Sequence, residues 1–152
     1  MAAIPPPAHI LARIVSPDDM MERGLELGGF SVRQIEHAGL KLKYSRFKSW
    51  FGSQPVVYAQ IWEDLLTTDI AEARILPKDD LDHFLMALHF LKGYDTEGER
   101  SGNFQLNEKT LRKWTWYFVE KMAALKALKV SLASSDRPFS THVSRHVRSD
   151  AH

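Results

Sequence analysis

The sequence predicts an all-α domain. Three observations predict it. Apolar residues recur at three- and four-residue spacing in several separate segments. Residues that suit helix starts and stops stand at the ends of those segments. Strand-like alternation is confined to "LKLKY" at Leu40–Tyr44, which stands alone. A chain of 152 residues suits one domain with tails, and 44% hydrophobic with 26% charged residues is an ordinary globular composition.

Residues 1–15 contain "PPPAH" and no cap, and read as a flexible arm. The helical domain then runs over residues 16–130. In "SPDDMMERGLELGG", Ser16 can cap and Pro17 fits the first helical position. Asp18 and Asp19 suit the positive end, and Gly28-Gly29 stop the helix. "SVRQIEHAGLK" predicts a second short helix ending near Gly39. Gly52 breaks the chain after "RFKSWF", and Ser53 and Pro55 open a helix on which Tyr58, Ile61, Trp62 and Leu65 share a face. "DDLDHFLMALHFLKGY" carries acids at its start, Lys92-Gly93 at its end and a broad face of Leu81, Phe84, Leu85, Leu88 and Leu91. That breadth marks a central helix.

Thr96 and Glu99 have the spacing of a capping box and predict a helix to about Phe104. "QLN" is a turn, and Asn107 caps a helix from Glu108 to about Leu128 that lacks internal Gly and Pro. The pair forms a helix-turn-helix over about residues 96–128, in which the second helix would enter a groove and the first support it. From Ser131 the apolar period stops, and residues 131–152 read as a disordered tail.

Local charge is uneven although the formal net charge is +1. Acids dominate Asp79–Arg100 and bases dominate Asn107–Val130. A second basic cluster is Lys41, Lys43, Arg46 and Lys48. These runs are solvated helix faces or the electrostatic footprint of a polyanion. Helical phase sharpens the question. At 100° per residue, Leu111, Trp114, Phe118, Met122 and Leu125 fall within a wedge of about 80°. Lys109, Arg112, Lys113 and Trp116 lie across the helix. Lys109 and Thr110 occupy the first turn, where groove-reading side chains sit. Arg112 and Lys113 can meet phosphates or guanine edges. Trp116 either follows the nucleic-acid backbone, touches a thymine methyl, or packs on a neighbouring helix.

"FKSWFGSQPVVYAQIWEDL" and "LDHFLMALHFLKGYDTEGERSGNFQLNEKTLRKWTWYFVEKMAALKALK" together resemble the region preceding the catalytic domain in Harbinger-like DDE transposases of algae and other protists. The resemblance spans about Arg46 to Lys129, and "EKTLRKWTWYF" is its most specific part. It implies a nuclear protein whose helix-turn-helix recognises double-stranded DNA at transposon ends. Lys109, Thr110, Arg112, Lys113 and Trp116 are then the contact candidates, with Lys41, Lys43, Arg46 and Lys48 holding backbone at the flank. Such pairs of helices usually pack through a small or apolar residue. Arg100 and Ser101 stand there instead, which predicts a poorly packed first helix, and Gln105 replaces the turn glycine. The likeness ends near Val130, before the family's catalytic domain, so a truncated or frame-shifted copy is the expectation.

An enzyme is not expected. DDE chemistry needs three carboxylates on two divalent cations, held by a sheet, and no run of strands is predicted. Asp79, Asp80 and Asp82 read as helix-dipole residues. His83 and His89 read as satisfied core or boundary histidines, and His142 and His146 as stray ones. The absence of cysteine excludes a disulfide framework and a Cys-based zinc site. No cofactor or metal is expected, and no apolar run reaches the roughly 18 residues of a membrane span. The competing class is a helical protein–protein interaction module that binds no DNA, and a degraded copy that binds nothing is the third.

Overall fold

Small polar caps and prolines set most helix starts in this chain. The computed structural model describes residues 5–136. It is all-α over that span, with α1 (Ala8–Leu11), α2 (Pro17–Leu27), α3 (Val32–His37), α4 (Leu40–Phe51), α5 (Pro55–Thr67), α6 (Leu81–Gly93), α7 (Glu97–Phe104) and α8 (Glu108–Asp136). Ser16 accepts from the Asp19 amide and Pro17 opens α2, as predicted. Ser31 and Gln34 form a capping box on α3. At α5 the cap is Gln54 rather than Ser53, and its side chain makes no cap bond. Pro55 brings no N–H to satisfy, which lessens the demand for one.

"LKLKY" is helical. A five-residue alternation has no partner strand here, and the segment runs on into Phe47 and Phe51, which with Tyr44 recur at helical spacing and face the core. Gly24 sets the approach of α2 to α4. A Cβ there would lie 2.4 Å from the Phe47 ring and 2.9 Å from Phe51.

Helix α6 is central, packing on α2, α4 and α8. Its residues Phe84 to His89 are all buried, whereas Leu91, placed on the apolar face by periodicity, is exposed. Trp62 of α5, Phe84 of α6 and Phe118 of α8 form an aromatic centre with ring centroids 5.3 to 6.2 Å apart. Burying one such ring contributes about 1.5–3 kcal/mol.

The described part of the N-terminal arm is not loose. Ile10 is buried, Arg13 Nη2 donates to the Asp79 carbonyl at 2.6 Å, and Trp62 Nε1 donates to the Arg13 carbonyl at 3.0 Å. Nor do the three acids around the start of α6 act alike. Asp80 caps α6 by accepting from the Asp82 amide, and Asp82 pairs with Arg23. Asp79 is buried, and its carboxylate accepts from the Leu76 amide and the Tyr117 hydroxyl. Burial, reinforced by Asp79, holds the Tyr117 phenol in its neutral form far above the usual range.

Helix α8 runs past Leu128 to Asp136. The apolar period fades there, but no Gly or Pro interrupts the backbone, and the Ser134 hydroxyl donates to the Val130 carbonyl at 2.9 Å. The predicted tail therefore begins later than Ser131. The rest of that prediction, with His142 and His146, falls outside the described residues. No helix among the described residues is long and apolar enough to cross a membrane.

Candidate nucleic-acid interface

The helix pair of interest is built from its caps inward. Thr96 accepts from the Glu99 amide, while the Glu99 carboxylate accepts from the Thr96 amide and hydroxyl. Those bonds hold the Glu99 carboxyl below its ordinary value. At the far end of α7, Gln105 takes a left-handed backbone with φ 54°, and its amide bonds the Ser101 carbonyl. The Ser101 hydroxyl donates to the Leu106 carbonyl and closes the turn on itself. Asn107 Oδ1 then accepts from the Lys109 amide at 2.9 Å, starting α8.

The expected weak packing of α7 does not occur. Arg100 is only 1% exposed. Its Nη2 donates to Thr115 Oγ1 of α8 at 2.6 Å and to the Met86 carbonyl of α6 at 3.2 Å. Its guanidinium lies over the Phe90 ring at 4.7 Å. A long side chain with a delocalised cation thus fills the place where a small residue was expected. Thr115, which periodicity left unassigned, is buried as its partner.

The predicted phase of α8 holds. Leu111, Phe118 and Leu125 are buried, and Trp114 and Met122 pack against the core. Lys109, Thr110, Arg112, Lys113 and Trp116 are all exposed. The two tryptophans separate as expected. Trp114 stacks on His83 at 4.7 Å, while Trp116 is 52% exposed and meets Phe90 edge-on at 6.0 Å. Of the placements considered for Trp116, packing on a neighbouring helix is realised at one ring edge, and half its surface stays outward. Lys113 Nζ lies over the Trp114 ring at 5.1 Å. Farther along α8, Lys121 bonds the Ala71 carbonyl and Lys129 pairs with Asp64. Lys109, Arg112 and Lys113 in the first turns of the basic segment are exposed, as is Lys126 farther along.

The second basic cluster is on α4. Lys41 and Lys48 are exposed, and Lys43 and Arg46 half-buried, with the Arg46 guanidinium over Phe30 at 4.9 Å. Helices α4 and α8 both pack on α6.

Neither core histidine is fully satisfied. The Nδ1 atoms of His83 and His89 are buried without a hydrogen-bond partner. His89 is caged by Trp50, Phe51 and Phe104, and its Nε2 is 3.9 Å from Asp95. Burial holds its pKa below the ordinary value, with the nearby Asp95 opposing.

Periodicity missed one surface feature. Tyr94 caps α6 in a left-handed conformation, 74% exposed, with its ring 5.8 Å from Phe90. The four-residue spacing of Phe90 and Tyr94 was the available signal. Among the described residues, no three of His, Asp and Glu gather as a metal set. No protein-family model, no curated protein and no solved structure matches the chain.

Proposed function

We propose that this domain binds double-stranded DNA through α8, as the recognition module of a transposase-derived nuclear protein. One observation carries the reading: Lys109, Arg112, Lys113 and Trp116 form an outward face at the start of α8, opposite its buried stripe, with Thr110 exposed beside that stripe in the first turn. Helix α7, locked to α8 through Arg100 and Thr115, would act as the supporting helix. The resemblance to Harbinger-like transposases supports transposon ends as the target. Lys41, Lys43, Arg46 and Lys48 would hold flanking phosphates, and binding rather than catalysis would be the domain's task.

Duplex affinity measured against salt tests this. Binding should weaken steeply as salt rises, because each neutralised phosphate releases counterions. Lys113→Ala and Arg112→Ala should each lower affinity and reduce the log–log salt slope by about one. Absence of duplex binding even at low salt defeats the proposal.

A second reading, a helical protein-interaction module, is favoured by one feature. Ile61, Met122, Leu125, Val130 and Ala133 line an apolar groove between α5 and the distal half of α8. Under that reading the domain binds no duplex, and Val130→Glu abolishes its protein complex.

A further inference from the structure

We propose that the same interface takes unpaired nucleotides on an aromatic row formed by Tyr94, Phe90 and Trp116, so that its preferred substrate is duplex DNA with a single-stranded segment. The inference rests on the DNA-binding reading above and names the form of DNA. The row crosses from the C-terminus of α6 to the third turn of α8. Phe90 is its half-buried anchor, gripped from behind by the Arg100 guanidinium. Tyr94 and Trp116 flank it with ring centroids 5.8 and 6.0 Å away, and both are mostly in solvent.

Three further features favour a nucleic-acid strand as the occupant. Exposed aromatic faces stack bases without regard to sequence, and a basic track beside them follows the backbone. Here Lys113 and Arg112 stand three and four residues before Trp116 on α8, within one turn, and Lys109 stands one turn earlier. Asp95 follows Tyr94, and Glu120 stands one turn after Trp116 on the side away from Arg112 and Lys113, while Glu108 sits at the α8 N-terminus, where the dipole accounts for it. Finally, Tyr94 holds φ 52°, a conformation that a bulky residue adopts rarely and glycine freely. At this cap the ring is 74% exposed and meets Phe90 edge-on.

A base pair inside an intact duplex keeps its faces stacked on its neighbours. The row therefore distinguishes unpaired from paired DNA, whereas the cations serve both. The test titrates the domain with a blunt duplex, the same duplex bearing an unpaired thymidine extension, and oligothymidylate, all at one salt concentration. The extension should raise affinity about tenfold, within the range measured for base–aromatic stacking. Tyr94→Ala should remove most of that gain and leave blunt-duplex affinity unchanged, and Tyr94→Phe should keep the gain. Oligothymidylate should quench the emission of Trp116, read as the difference from Trp116→Phe. An unchanged unfolding midpoint certifies that Tyr94→Ala is folded.

An extension without effect, or a gain that survives Tyr94→Ala, overturns this inference. Should blunt duplex still bind with a slope that Lys113→Ala reduces, the DNA-binding reading stands alone. If none of the three probes binds at low salt, both fall together.

Discussion

Gln105 holds a left-handed backbone at the turn between α7 and α8, with an exposed side chain. For an L-residue that conformation costs about 1–2 kcal/mol, and glycine escapes it while losing more freedom on folding. Gln105→Gly should therefore stabilise the domain by about 0.5–1 kcal/mol, read as a higher urea midpoint with an unchanged slope. The amide bond to the Ser101 carbonyl survives the change, since the backbone makes it. A midpoint that falls would show that the turn does not hold this geometry in solution. The position was legible in the sequence as a missing turn glycine, but its φ was not. The split between Trp114 and Trp116 was legible, because a fixed 100° step decides it without reference to any other helix. The burial of Arg100 was illegible for the complementary reason: a cation between two helices predicts poor packing, and only Thr115 and the Met86 carbonyl on other helices make its burial tolerable.

At the scale of elements, α7 is short, and its attachment to the rest depends on few groups. Its largest buried side chain is that of Arg100, which bonds both α6 and α8. Truncating it would leave the Thr115 hydroxyl and the Met86 carbonyl without that donor and open a cavity under Phe90. Arg100→Ala should cost about 3 kcal/mol. The loss should appear first as faster hydrogen exchange in α7, ahead of the α6 amides. Uniform acceleration across the domain would mean that α7 does not open as a unit. Helix starts were readable because caps act within three residues, as at Ser16, Thr96 and Asn107. The end of α8 was not, because amphipathicity fades after Leu128 while the helix continues. Backbone propensity continues through Leu132 and Ala133 although Val130 and Leu132 stay more than half exposed. The proposed contact face depends on the readable part, the first turns of α8.

At the scale of the molecule, the helical class follows from local periodicity, but the closure of the core does not. Trp62 of α5 needs a hydrogen-bond acceptor for its buried indole, and finds it in the Arg13 carbonyl, 49 residues earlier. Arg13 in turn reaches the Asp79 carbonyl, and the Asp79 carboxylate accepts from Tyr117 of α8. The N-terminal segment thus joins the connector before α6 to both α5 and α8. No short window of sequence shows this, since each partner is ordinary by itself and only their convergence buries Ile10 and Arg13's neighbours. Removing residues 1–15 should consequently destabilise the domain, although the sequence reads as a flexible arm. Burial of Ile10 contributes about 1.5–3 kcal/mol and the two long-range hydrogen bonds about 1 kcal/mol each. A loss of about 4 kcal/mol is a large share of the roughly 5–15 kcal/mol that stabilises a typical domain. Urea unfolding followed by tryptophan emission measures it, because Trp62 reports the site directly. The truncated domain should unfold at a much lower midpoint, and Ile10→Ala in the full chain should reproduce part of the shift. Equal midpoints for truncated and full chains would show that the arm does not dock in solution, and the core would then have to close without it.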